Sequence, residues 1–565
     1  MTLPTAQLAE GPVGPRPVSA SGAAPRSRLL RVGGEWTIVL VGVAVLVAWP
    51  IGRMLYEVIA APSIIADLWN ESQMTAAIEG TVITSVGGTV LALIIGGGSA
   101  VAFWRLRVPA QAVLAGGLLL PILIPPFVSA LSVTQAYTAA GLAQHLIGLQ
   151  MNWLFGAAGT TILLGVQQVP IAFLIIAAAT RTRGSGDAER AARASGAPPW
   201  TTLWTITFPL LRPAIIAATA LCFISCASDF GVPAVLAIPA RYPTITTEIY
   251  QAMSFSTNGL ADPIALSALL IVAALIVFAV TSRFAAAGVA ANRHTTPLVI
   301  QRRPWHTAVA VLIGLYIFVV SLFPLLGLIS IAITKVYGES PVPAHWSFEH
   351  LATALQGDAI SGFLRSLLLA VLTATILVVA GVLAGRLGLR RGGRALGALI
   401  AVPYAVPGSA VAIAILLTFS KFLYGTIAII LVAYLSRFWA LAQQPIGAAL
   451  SQLSPEPALA ARASGASAWR AWWVSVWPAI RPSMLAAWLL VFLYSLHELT
   501  VSSLLYVPGT ETIGVVVLNA EEGGDLATTS AIALWLTIVI LLCAVPLIVS
   551  RRLRGILGFS SGGSW

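Results

Sequence analysis

The sequence predicts an all-α integral membrane protein of about twelve spanning helices, arranged as two parallel six-helix repeats. Three observations carry that expectation: a composition suited to lipid, twelve apolar runs of crossing length, and an internal repeat that halves the chain. Hydrophobic residues make up 58% of the 565 residues and charged residues only 9%. A water-soluble domain carries roughly a quarter charged residues, so this chain belongs in a bilayer.

A helix needs about 20 apolar residues to cross the hydrocarbon core. Runs of that kind fall at 36–56, 80–104, 111–136, 157–180, 210–234, 263–283, 306–333, 363–386, 394–420, 425–449, 480–505 and 528–549. The third carries Pro121, Pro125 and Pro126, and the ninth carries Pro403 and Pro407. Membrane helices tolerate such breaks where neighbouring helices or cavity water satisfy the freed carbonyls. Pro125 and Pro407 are therefore candidates for opening these spans around a pathway, kinks that only pack being the alternative. Residues 1–35, rich in Pro, Ala, Gly and Ser, are expected to form a disordered cytoplasmic tail. The run that follows is too long for a cleaved signal peptide and shows no cleavage site.

The formal net charge of +11 is distributed by topology. With the N-terminus inside, the cytoplasmic segments hold Arg105 and Arg107; Arg181, Arg183, Arg190 and Arg193; Arg283, Arg293, Arg302 and Arg303; and, in the second half, Arg386, Arg390, Arg391 and Arg394, Arg462 and Arg470, then Arg551, Arg552 and Arg554. The opposite loops hold mostly acids, among them Asp67, Glu71, Asp262, Glu339, Glu511, Glu521 and Glu522. This positive-inside pattern puts both termini in the cytoplasm of an inner-membrane protein. The basic surplus gives no ground for a nucleic-acid partner. Cys222, Cys226 and Cys543 sit in apolar runs and read as small buried side chains.

Self-similarity comes next. The segment Ala191-Ala192-Arg193-Ala194-Ser195-Gly196-Ala197 recurs letter for letter at 460–466. At the same offset Trp200 falls on Trp469, Pro209 on Pro478, Pro213 on Pro482 and Asp229 on Glu498. Upstream the offset is larger, and Pro121 and Pro125 fall on Pro403 and Pro407. A longer loop around 137–156 in the first half accounts for the difference. The organisation is a first repeat at 36–284, a cytoplasmic linker at 285–305, a second repeat at 306–550 and a tail at 551–565. Six spans per unit make the halves parallel, with a pathway between them.

The repeated loop between the fourth and fifth spans of each half reads as two short helices around a sharp corner. Ser454 caps the second copy, with Pro455 in the first turn and Glu456 facing the positive helix end; Ser185, Asp187 and Glu189 do the same in the first. Gly196 and Gly465 stand where a left-handed C-terminal residue is wanted. A Trp- and Thr-rich segment follows and is stopped by Pro209 or Pro478.

This arrangement resembles the EAA loop of binding-protein-dependent ABC importer permeases: Glu-Ala-Ala, a following Gly, an aromatic, then Leu-Pro and Pro. The chain supplies Ala191-Ala192, Gly196, Phe208-Pro209 and Pro213, and Ala460-Ala461, Gly465, Trp477-Pro478 and Pro482. It departs at the glutamate, where Arg190 and Leu459 precede the paired alanines while Glu189 and Glu456 lie nearby. The resemblance implies a fused, two-half permease in which these loops couple to two copies of a separate ATPase subunit. Glu189, Ala191, Ala192, Arg193 and Gly196, with Glu456, Ala460, Ala461, Arg462 and Gly465, are the coupling candidates. ATP and Mg would sit on the partner, because neither Lys335 nor Lys421 is followed by the Ser or Thr of a P-loop. No cofactor is expected on this chain, and no catalytic role.

Charges inside the membrane are functional suspects. Asp229 and the pair His497-Glu498 occupy matching places in the fifth and eleventh spans, and Arg437 lies in the tenth. The acids either line the central pathway or cap and pair locally near the interface. Arg437 is expected to partner an acid or freed carbonyls, and His497 has no cluster that would make it a metal ligand. Asp-Phe-Gly at 229–231, followed by Val-Pro, is similar to a stretch of ferric-iron permeases. That resemblance implies ferric iron delivered by an extracytoplasmic binding protein, with thiamine, phosphonate and polyamine as alternatives. An ion-coupled secondary transporter is the rival class. It leaves the repeated loops unexplained.

Overall fold

The computed structural model describes residues 26–63, 72–183, 186–255, 260–286, 304–390 and 392–549. Asp67, Glu71, Ser185, Arg391, most of the linker and most of both tails lie outside the described residues. Helix accounts for 83% of the structure, and the one β feature among the described residues is an isolated bridge between Thr334 and Trp346.

Nine described helices are long and apolar enough to cross a membrane: Gly34–Ala60, Gln73–Arg105, Ala157–Thr180, Pro199–Ser228, Trp305–Ala332, Gly357–Gly388, Ile427–Ser451, Ala468–Leu496 and Leu526–Val545. Helices also occupy the three other predicted runs, the sixth without interruption and the third and ninth with breaks. The sixth is Ala261–Ala286. The third is in pieces, Gln111–Leu118, Leu120–Leu123 and Pro126–Tyr137. The ninth is a pair, Ala395–Ala405 and Gly408–Leu423, bent by 103°. Among the described residues the crossing helices thus number nine, or ten with the bent pair, in keeping with the all-α membrane architecture expected.

Proline causes both breaks. Pro125 and Pro407 share one conformation, φ −51° and ψ 140° against φ −53° and ψ 141°, and each stands just before a new helix. The preceding residues, Ile124 and Val406, are extended, as proline requires of its neighbour.

The fifth and eleventh spans differ from expectation at both ends. They start earlier, at Pro199 and Ala468, and stop at Ser228 and Leu496 rather than running on to 234 and 505. The early start comes from π-turns, Leu203–Thr207 and Trp472–Val476, which join the short post-glycine helix to the span. Among the described residues, four of five π-turns end one residue before an aromatic–proline pair: Trp49-Pro50, Phe208-Pro209, Phe323-Pro324 and Trp477-Pro478. A proline ring clashes with the carbonyl one turn back, and the extra residue of a π-turn moves that carbonyl aside.

The halves exchange their first helices. Span Gly34–Ala60 packs on the second half, where Ser436 Oγ donates to the Leu46 carbonyl at 2.6 Å and Trp49 meets Phe419 edge-on. Span Trp305–Ala332 packs on the first half, where Tyr137 Oη donates to the Val319 carbonyl at 2.7 Å. Gly327 lets that approach happen: a Cβ there would lie 2.7 Å from Ala136 Cα. Small residues permit such close helix contact in a bilayer.

Candidate functional site

The two repeated loops are built alike. Helices Gly186–Ala194 and Glu456–Ala463 each end in a glycine with positive φ, +87° at Gly196 and +86° at Gly465. The next amide turns back five residues, Ala197 N–H to the Ala192 carbonyl and Ala466 N–H to the Ala461 carbonyl, both at 3.0 Å. That bond closes a helix C-terminus around a left-handed residue. Ser454 Oγ accepts from the Glu456 amide at 3.3 Å and caps the second loop.

Exposure matches residue by residue. Ala191, Arg193 and Gly196 are exposed with Ala192 half-buried, and Ala460, Arg462 and Gly465 are exposed with Ala461 half-buried. Trp200 and Trp469 are 67% and 66% exposed and head ring stacks, Trp200–Trp204–Phe208 in one loop and Trp469–Trp472–Trp473–Trp477 in the other. Each loop thus presents a small, smooth alanine face with a matching exposed arginine, Arg193 or Arg462, set on a platform of indoles. The acids break the symmetry: Glu456 is exposed, whereas Glu189 is buried within the chain's own first half.

A second constellation lies where the helices break. Asp229 ends the fifth span, and its Oδ1 accepts from the Val232 amide at 2.8 Å, capping helix Gly231–Leu236. Glu498 repeats this one half later. Its Oε2 accepts from the Val501 and Ser502 amides, at 2.8 and 3.4 Å, at the start of helix Thr500–Leu505. The breaks that shorten these spans are therefore capped by the acids themselves, in backbone positions the apolar run concealed. Phe127, just past the Pro125 break, lies against Gly231, where a Cβ would sit 3.0 Å from its amide nitrogen.

Arg437 joins the two breaks of the second half. Its Nη1 lies 3.4 Å from Glu498 Oε1, and it also lies within electrostatic reach of Asp229. The guanidinium fills the space over Gly408, where a Cβ would be 1.3 Å from Nη1. Asp229, Arg437 and Glu498 thus form one electrostatic group drawn from both halves. His497 ends the eleventh span with its ring 5.8 Å from that of Tyr494. Among the described residues no three His, Cys, Asp or Glu side chains gather as a metal site.

On the face away from the repeated loops, helices Ile245–Phe255 and Ile513–Glu522 meet across the halves. Tyr250 Oη donates to Glu522 Oε1 at 3.3 Å. Burial pushes the neighbouring Glu521 carboxyl up to about 7. Tyr250 and Glu522, 272 residues apart, were invisible as a pair in the sequence. So were Arg105 and Thr207, which hold Glu189. The one available sign was the basic end of the second span, which topology already explained.

The family model described as "binding-protein-dependent transport system inner membrane component" matches this chain twice, at residues 88–290 and 377–554. A Fe(3+)-transport system permease protein of Haemophilus influenzae is 23% identical over 496 residues, 85% of this chain and 90% of that protein. A molybdenum transport system permease protein of Mycobacterium tuberculosis is 30% identical over 251 residues, 43% of this chain and 88% of that protein. A ferric transport system permease protein of Actinobacillus pleuropneumoniae is 30% identical over 190 residues, 32% of this chain; that match spans 27% of the relative's own length.

Proposed function

The chain belongs to the family of binding-protein-dependent transport system inner membrane components, and on that footing we propose how its two fused halves work as an importer permease. Each repeated loop seats on one of two copies of an ATPase subunit, and ATP-driven closure of that pair draws the loops together and rocks the halves. The observation that carries this reading is the matched, exposed pair of loops, equal across 269 residues in their glycine corner and in the exposure of Ala191, Arg193 and Gly196 against Ala460, Arg462 and Gly465. The arginine distribution supports placing the loops and both termini in the cytoplasm. An extracytoplasmic binding protein then docks on the opposite face, over Tyr250 and Glu522.

The solute we propose is ferric iron. A relative spanning nearly the whole chain carries that name, and Asp229 and Glu498 offer carboxylates at the two central breaks. A small oxyanion is the second reading, favoured by one observation: the Arg437 guanidinium lies against the positive N-terminal end of helix Gly408–Leu423. Proteoliposomes holding the permease, its ATPase and the binding protein, supplied with labelled ferric iron, molybdate or sulfate, separate the two. ATP-dependent uptake of iron alone supports the first reading, and uptake of an oxyanion alone replaces it. Uptake on an ion gradient without the ATPase contradicts the importer reading altogether.

A further inference from the structure

Three polar residues from three segments meet inside the first half. Glu189, on helix Gly186–Ala194, turns away from the exposed face of its loop and is 2% exposed. Its Oε1 accepts from Arg105 Nη2 at 2.8 Å, at the end of the second span. It also accepts from Thr207 Oγ1 at 2.5 Å, in the π-turn that opens the fifth span. Arg105 donates to Thr207 as well, closing the triangle. One carboxylate thus ties the loop helix to two membrane helices.

The repeat supplies an internal control. The upstream offset, which carries Pro121 onto Pro403, carries Arg105 onto Leu387. The loop offset, which carries Gly196 onto Gly465, carries Glu189 onto Ala458 and Thr207 onto Val476. All three polar positions are apolar in the second half. Leu387 is fully buried, and Val476 packs with Leu450 and Ile480. Joint replacement is what a buried ionic unit demands, since either charge left alone costs more than the pair. Arg386, beside Leu387, serves another purpose: its Nη1 lies 3.2 Å from Glu35 Oε1 near the start of the first span.

We infer that Glu189 is a positioning residue that anchors the first loop helix to the second and fifth spans through Arg105 and Thr207. The inference rests on the importer reading. The two loops therefore transmit ATPase movement through different contacts, the first through a buried charge and the second through apolar packing. Glu189 acts on the chain's own helices and does not touch the ATPase, unlike the exposed Arg193 beside it.

The test uses the complete complex of permease, ATPase and binding protein. Glu189→Ala strands the Arg105 cation, and uptake per ATP hydrolysed falls by on the order of tenfold or more, the scale of an unpaired buried charge. The binding-protein concentration for half-maximal uptake stays unchanged, because the opposite face is untouched. Hydrogen exchange speeds up across 187–195 and not across 456–463. The triple variant Arg105→Leu, Glu189→Ala, Thr207→Val installs the residues of the second half and restores coupling to within about twofold, as matched apolar replacements of buried ion pairs do. Unchanged exchange in Glu189→Ala overturns the inference. So does a triple variant of normal composition as impaired as Glu189→Ala, which would mean that the carboxylate touches the ATPase. A wild-type complex without ATP-driven uptake strikes the importer reading instead, while the exchange measurement still reads the anchor.

Discussion

Gly408→Ala is the sharpest probe of the central cluster. The added Cβ would lie 1.3 Å from Arg437 Nη1, 2.4 Å from Cζ and 2.9 Å from Nη2, so the whole guanidinium has to leave. The colliding atoms are the far end of a flexible side chain, and the backbone can stay where it is. The expected cost is that of forcing one extra carbon into a packed site, about 1–3 kcal/mol. Leaving also takes Arg437 from Glu498, whose carboxylate keeps its bonds to the Val501 and Ser502 amides. Arg437→Ala alone removes the pair but frees the space, so Gly408→Ala should cost little in that background. Reversible unfolding in mixed micelles of the four proteins of the cycle measures the coupling, expected between about 0.5 and 3 kcal/mol. Additive effects, with Gly408→Ala as costly without the arginine as with it, would refute the placement of Arg437 over the break.

Further predictions follow from other contacts. Gly327→Leu puts a Cβ 2.7 Å from the Ala136 Cα, a backbone atom that cannot move aside, and should abolish the monodisperse peak in size-exclusion chromatography; Gly52→Ala, with nothing within 4 Å, should leave it intact. Ser436→Ala removes the hydroxyl that reaches the Leu46 carbonyl and should cost about 1 kcal/mol in the same unfolding assay. Burial raises the Glu521 carboxyl from 4.5 to about 7, so its contribution to stability is full below the lower value and is lost as pH rises through the upper one. Glu521→Gln, which keeps the neutral form at every pH, should match wild type near pH 4.5 and exceed it in thermal stability above pH 7; equal pH profiles would contradict the burial argument.

What the sequence disclosed and what it withheld divide along physical lines. Span positions were legible because lipid demands continuous apolar runs. The loop corner was legible too, because left-handed backbone favours glycine and Gly196 and Gly465 recur in register. Breaks at Pro125 and Pro407 followed from proline's missing amide. The breaks at Asp229 and His497–Leu499 did not, because their short following helices are as apolar as a span and hide the interruption. The partners of Glu189 were also withheld, and Arg437 was expected to meet an acid or freed carbonyls without the sequence naming Glu498 as that acid. Arg105 lies 84 residues from Glu189, and Arg437 lies in a different span from Glu498. Such pairings depend on how helices dock, and one sequence carries no record of that. The exchange of first helices between halves is another docking outcome, visible only once Ser436 and Tyr137 are seen to reach Leu46 and Val319.

Co-purification of the ATPase with the tagged chain tests the central claim most directly. The decisive comparison is between wild type, the double variant Gly196→Arg with Gly465→Arg, and the control Gly509→Arg. All three glycines have positive φ, +87°, +86° and +92°, and open space around them, so each substitution carries a similar strain of about 1–3 kcal/mol. Only the first two lie on the repeated loops. The account predicts two ATPase copies per wild-type permease, retained by Gly509→Arg and lost or weakened in the double variant. An ATPase held equally by all three, or a wild-type chain that comes out alone and still moves solute on an ion gradient, would contradict it.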